Sequence, residues 1–222
     1  GDYDGDGNID MHIVAQPDRG TITDEIEEGI ALGKGDGTFY NPLMRKFPPV
    51  FRPIVERFSG DFNGDGFDDL AETRTRNDGG GLAYIRVRYA SGETMFGQTF
   101  FGSESEIVVQ PSSLGSTIDA AAGDFDRDGD ADIVNLTRGD FRLGEPPILG
   151  LSVRRANPDG SFEPEERISF PIDPFNLARL HMYTADVNGD GRADPIILDD
   201  GASEIHIFLT DADGNPSSTP ET

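Results

Sequence analysis

Apolar residues in this chain come in short, branched runs separated by polar turns, a pattern that predicts strands rather than helices. Met11 to Ala15, Leu70 to Thr73, Ile133 to Leu136, Pro195 to Leu198 and Ile205 to Leu209 are such runs, each too short for a helix. Ile54 to Gly60, Thr117 to Gly123 and Leu180 to Ala185 are further strands, each leading into an acidic turn. A second kind of turn follows: Gly35-Asp36-Gly37-Thr38-Phe39, Ala90-Ser91-Gly92-Glu93-Thr94, Pro158-Asp159-Gly160-Ser161-Phe162 and Ala212-Asp213-Gly214-Asn215. Glycine paired with a turn-forming residue between strand-like runs predicts hairpins here.

The acidic turns are copies of one another. Asp2 to Asp10, Asp61 to Asp69, Asp124 to Asp132 and Asp186 to Asp194 align without gaps, and the alignment repeats at near-equal intervals along the chain. Positions 1, 3, 5 and 9 carry a carboxylate or an Asn amide: Asp2, Asp4, Asp6 and Asp10; Asp61, Asn63, Asp65 and Asp69; Asp124, Asp126, Asp128 and Asp132; Asp186, Asn188, Asp190 and Asp194. Position 6 is always glycine, at Gly7, Gly66, Gly129 and Gly191, where a sharp bend is costly for a residue with a Cβ. Alternate side chains of a tight loop converge on one point, and the main-chain carbonyl of position 7 (Asn8, Phe67, Asp130 or Arg192) completes a ring of oxygens. Such a ring suits calcium, which takes six to eight oxygens at about 2.3 to 2.6 Å, better than magnesium, which keeps its waters. About four calcium ions, one per repeat, are therefore expected. An EF-hand is excluded, because the position where it needs a bidentate Glu holds Ile13, Glu72, Asn135 and Ile197, and because strands rather than helices flank the loops.

Charge and composition narrow the function classes. Asp and Glu number 42 against 18 Lys and Arg, a net charge of −24, which argues against a nucleic-acid partner. No stretch is apolar enough to insert in a membrane as a helix. Cysteine is absent, so disulfides say nothing of the compartment, and the argument passes to calcium. Loops of this kind fill at extracellular calcium, with dissociation constants of about 10⁻⁴ to 10⁻³ M. A secreted or cell-surface location is the expectation.

Each repeat reads as strand, calcium loop, strand, connection, strand, hairpin, strand, and four antiparallel strands per repeat describe a propeller blade. Gly60-Asp-Phe-Asn-Gly-Asp-Gly-Phe-Asp-Asp-Leu70 and Leu32-Gly-Lys-Gly-Asp-Gly-Thr-Phe39 resemble the FG-GAP/VCBS repeats of integrin α-subunit-like propellers, over nearly the whole chain. The resemblance implies an all-β fold, usually a seven-bladed β-propeller, with calcium in a blade hairpin and a role in adhesion or ligand binding. Propellers of this family also occur in lectins, toxin subunits and accessory modules of hydrolases and lyases. The chain reads as a single propeller region, 1–222, with repeats of approximately 1–53, 54–116, 117–178 and 179–222.

Alternating strand direction puts the calcium loops and hairpins on one face and the variable connections on the other. Recognition is expected on that second face. Its candidate ligand-binding residues are Arg52, Arg74, Arg76, Phe141, Arg142, Phe175 and Arg179, with Phe47 and Phe51 nearby, and the expected partner is a glycan or a protein. Arg138-Gly139-Asp140 spells an integrin-recognition tripeptide, and Asn135-Leu136-Thr137 an N-glycosylation acceptor placed inside a strand. His12, His181 and His206 lack a metal-ligand spacing, and no nucleophile elbow, phosphate loop or Cys nucleophile occurs. A binding module rather than an enzyme is the expectation. The alternatives are a structural subunit of an extracellular assembly and an accessory propeller of a polysaccharide-active enzyme.

About three and a half to four blades are visible, with strand edges left open in the first and last. Three arrangements would cover them: the remainder of a longer propeller chain, a ring closed by two copies, or a larger homo-oligomer. The longer propeller is the expectation, and the start at Gly1, inside a repeat, is expected from processing or from excision from a longer chain.

Overall fold

The computed structural model describes residues 1–15, 26–42, 44–47, 54–75, 83–94, 99–108, 117–138, 148–171 and 180–221. Among them there is no helix, and the strands form four small antiparallel sheets in chain order. The first sheet holds β1 (Met11–Ala15), β2 (Ile26–Ala31) and β3 (Arg45–Phe47). The second runs β4 (Ile54–Gly60), β5 (Asp69–Thr75), β6 (Ala83–Thr94) and β7 (Thr99–Val108). The third runs β8 (Thr117–Gly123), β9 (Asp132–Arg138), β10 (Ile148–Arg154) and β11 (Glu166–Pro171). The fourth holds β12 (Leu180–Ala185), β13 (Asp194–Asp199) and β14 (Glu204–Ile207). Each sheet is a meander, so every strand pairs with its neighbour in sequence, as short connections favour.

The acidic turns join the first two strands of the second, third and fourth sheets, and lead into β1 in the first. Pairing closes directly at their feet, with Gly60 opposite Asp69, Gly123 opposite Asp132 and Ala185 opposite Asp194. Three predicted hairpins form as expected, held by bridges Gly33 to Phe39, Ala156 to Phe162 and Thr210 to Pro216. The fourth does not. Ala90 to Thr94 continues β6, and Thr94 pairs with Thr99. The physical cause lies in register: it shifts between Tyr89 and Ala90, where β7 carries the extra residue, and again between Ala90 and Thr94, where β6 carries two, so the chain absorbs Gly92 at φ 61° without turning back.

No single central core exists among the described residues. Apolar side chains instead form slabs between successive sheets. Tyr3, Ile30 and Leu32 meet Leu70 between the first and second sheets. Phe62, Ala71, Ile85 and Val87 meet Ile133 between the second and third. The largest slab joins Phe125, Leu136 and Leu151 of the third sheet to Leu180, Met182, Ile197 and Phe208 of the fourth. β5 and β9 are buried on both faces, at 69–73 and 132–137, so apolar and polar residues do not strictly alternate in them. Asn135 in β9 is fully buried beside Ser152, which rules out its side chain as a sugar acceptor in this fold.

A network of charges is buried where the first two sheets meet. His12 Nε2 lies 2.5 Å from Glu28 Oε1, the Arg88 guanidinium bonds Glu28 and reaches Glu72 at 3.3 Å, and Arg57 Nε bonds Glu72 at 3.1 Å. Burial pushes the Glu28 carboxyl up, but the hydrogen bonds from His12 and Arg88 outweigh it and hold the group down at about 2.

Candidate metal centres

All four acidic loops are organised by one hydrogen-bond ladder, which explains why the pattern needs acceptors at odd positions. The position 1 carboxylate caps the backbone of the bend: Asp2 accepts from Gly5 and Gly7 at 2.9 Å each, and Asp186 accepts from Gly189 at 2.7 Å and Gly191 at 2.9 Å. Asp61 accepts from Gly66 at 2.8 Å, and Asp124 from Arg127 at 2.6 Å and Gly129 at 3.1 Å. Position 3 then accepts from the position 5 N–H, and position 5 from the position 7 N–H, as in Asp126 to Asp128 at 3.2 Å and Asp128 to Asp130 at 2.9 Å. These are Asx-type turns, which fold a short peptide by its own side chains.

Carboxylates held this way sit close enough to share a cation. Oxygens of Asp2, Asp4 and Asp10 lie within 4.8 Å of one another, and so do those of Asp124, Asp126 and Asp128. The second and fourth loops carry Asn63 and Asn188 at position 3, and no such carboxylate triad forms there among the described residues. Crowding has an electrostatic signature. Burial and then the neighbouring Asp10 and Asp6 raise the Asp4 carboxyl, and burial followed by Asp126 and Asp124 raises Asp128 despite the hydrogen bond from Asp130 N–H. A hard cation with oxygen ligands would relieve that repulsion, so the two clusters could hold such an ion.

Position 9 does something the sequence reading did not anticipate. Its carboxylate is a buried bracket, with one oxygen accepting the position 2 N–H and the other an N–H where a hairpin begins or, at Ala90, within β6. Asp10 joins Tyr3 to Gly33, Asp69 joins Phe62 to Ala90, Asp132 joins Phe125 to Ala156, and Asp194 joins Val187 to Thr210, all at 2.8 to 3.0 Å. Burial outweighs these hydrogen bonds and pushes Asp69 and Asp132 up to about 7. The bracket ties loop to hairpin whether or not the same side chain also meets a cation.

Position 4 was also missed, although glycine at three of its four occurrences was the available signal. Gly5, Gly64 and Gly189 adopt φ of 71°, 68° and 79°, and Arg127 holds the same left-handed conformation at 70°. Position 6 is left-handed too, with φ from 84° to 97°.

The loops are also linked from sheet to sheet. The position 1 carbonyl of each loop accepts from the position 8 N–H of the next: Asp2 from Asp68 at 2.8 Å, Asp61 from Ala131 at 2.6 Å and Asp124 from Ala193 at 2.7 Å. Position 7 side chains lean across the same junctions. A Cβ at Gly5 would lie 2.7 Å from the Phe67 ring, so Phe67 covers the preceding loop. Asp130 in the same way approaches Gly64 of the second loop.

The variable face is only partly described. Arg52, Arg76, Phe141, Arg142, Phe175 and Arg179 lie outside the described residues, and Arg74 is placed in β5 by its backbone alone. Gly139 and Asp140 of the tripeptide lie outside as well. A cavity of about 400 Å³ opens between β4, β8 and β12, with Arg57, Ser59, Asp119, His181 and Tyr183 in its walls. Its residues come from three repeats, which is why no local motif announces it. No protein-family model matches this chain, and a search of curated proteins returns no match to it.

Proposed function

We propose that this chain is a calcium-stabilised β-propeller region of the FG-GAP/VCBS kind, working outside the cell as a binding or adhesion module for a glycan or protein. Calcium holds the acidic loops, and recognition belongs to the variable connections on the opposite face. The observation that carries this reading is the fourfold ladder, in which four separate segments cap the same bend with their carboxylates, and the first and third of them bring three carboxylates together. Side-by-side packing of β4, β8 and β12 supports the propeller arrangement, because first strands gather around a propeller axis.

The test is thermal unfolding of metal-free protein titrated with calcium. A ligand bound only by the folded state raises the melting temperature by mass action. A clear rise at millimolar calcium, reversed by chelation and not reproduced by magnesium, is the expected result. Identical melting curves with and without calcium would refute the reading.

A further inference from the structure

In the second and third sheets the side chain at loop position 7 leans onto the preceding loop, and its chemistry differs with the loop it meets. At the first junction the ring of Phe67 lies over Gly5, in a loop that has a carboxylate, Asp4, at position 3. At the second junction the leaning side chain is itself a carboxylate, Asp130, and the loop beneath it has the neutral Asn63 at position 3. A Cβ at Gly64 would lie 3.2 Å from Asp130 Cγ and 3.4 Å from its Oδ2, so the carboxylate rests on the bend of the second loop. Asp130 is only 7% exposed, and among the described residues none donates a hydrogen bond to its carboxylate. Burial and then the carboxylates of Asp128 and Asp61 push the group up, Asp61 being the first residue of the second loop. Neither nearby arginine neutralises it. Arg127 lies against Gly191 of the fourth loop, and Arg155 bonds Glu166 and Asn215. A buried carboxylate with no donor, set among other carboxylates, is costly unless a cation joins it.

We propose that the Asp130 carboxylate belongs to the cation site of the second loop, which is thereby built across two sheets and takes calcium with a charge lent by the third. This assignment rests on the calcium reading above and adds a group that the loop pattern does not contain. The pattern gives Asp130 only a main-chain carbonyl, and gives it to the third loop. Charge along the chain is distributed to match. The third loop carries Asp124, Asp126, Asp128, Asp130 and Asp132, whereas the second has only Asp61, Asp65 and Asp69 at its ligand positions. Lending Asp130 leaves four carboxylates to each site. The opposite choice is made at the third junction, where Asp126 stands at position 3 and the next loop offers Arg192 at position 7. Glycine at position 64 fits the same arrangement, because a Cβ there would fill the place where Asp130 rests. A hard cation with oxygen ligands at this point fastens the second sheet to the third, beside the hydrogen bond from Ala131 N–H to the Asp61 carbonyl.

Calorimetric titration of the chelator-stripped full chain with calcium, paired with thermal unfolding of the metal-free protein, tests the assignment. Asp130→Asn is expected to weaken one calcium site by about 10- to 100-fold. Its metal-free melting temperature should stay at or above that of wild type, because no hydrogen bond is lost. The weakening should disappear where Asp65→Asn has already disabled the second loop, and remain where Asp128→Asn has disabled the third. Adding Asn63→Asp to Asp130→Asn should recover the affinity, since the second loop then has a carboxylate of its own at position 3. Three results overturn the proposal: calcium affinity unchanged by Asp130→Asn, a weakening that survives Asp65→Asn but vanishes with Asp128→Asn, or a metal-free melting temperature that falls as far as the calcium-loaded one. In all three wild type still binds calcium. Failure of the calcium reading looks different, because wild type itself then takes up no calcium and both proposals fall.

Discussion

At the scale of single residues, the loops contain two kinds of aspartate that one motif does not distinguish. Position 9 is a backbone bracket, whereas positions 3 and 5 sit at the rim with oxygens to spare. Asp132→Ala strands the N–H groups of Phe125 and Ala156 in a buried site, at a cost of roughly 1 to 3 kcal/mol for each group. Chemical denaturation of the metal-free variant should show this loss, and calcium should not restore it. Asp128→Asn, by contrast, should change metal-free stability little and weaken calcium binding measurably by calorimetry. Glycine needs are similarly split. A Cβ at Gly66 would meet nothing within 4 Å, yet φ is 86°, so Gly66→Ala carries a conformational cost of about 1 to 2 kcal/mol without any clash. The motif revealed which positions carry oxygen and which bend, since both are local. It did not reveal what Asp132 holds, because Ala156 approaches it only after β9 and β10 have paired.

Among elements, strands were legible because their apolar runs are bounded by turns, and β8 and β12 begin and end where the pattern placed them. The hairpin expected at Ala90 to Thr94 was not, because two bulges let a turn-like sequence run on as strand. Contacts between sheets were beyond local reading altogether. Gly60→Ala is expected to destabilise by roughly 1 to 3 kcal/mol through overpacking alone, since Ala131 Cβ cannot swing aside as a long side chain would. Its effect should persist at saturating calcium. The charge network between the first two sheets adds a pH dependence. Glu28 ionises at about 2 in the folded chain against an ordinary value of 4.5, so its contribution is complete above pH 4.5 and is lost as pH falls from there toward 2. The difference in melting temperature between wild type and Glu28→Gln should therefore be constant from pH 7 to about 5 and shrink below that.

For the whole molecule, stability resides in a series of junctions. Slabs of apolar side chains lie between sheets, and the loops run across the junctions as a chain of carbonyl-to-N–H links. A cation that stiffens one loop thereby steadies the carbonyl on which the next loop rests. Loss of a loop carboxylate in one repeat, as in Asp124→Asn, is expected to lower the melting temperature of the chain as one transition and not to release the third sheet alone. Differential scanning calorimetry distinguishes one peak from two. By itself the sequence determined the fourfold repeat, the oxygen-bearing positions, the left-handed glycines of position 6 and the all-β class, because each depends on residues a few places apart. Only the tertiary structure decided that position 9 works as a bracket, that the core is divided into slabs between sheets, and that Asp130 rests on the second loop. Those outcomes depend on residues from different repeats, which meet once each meander has folded and been laid against the next.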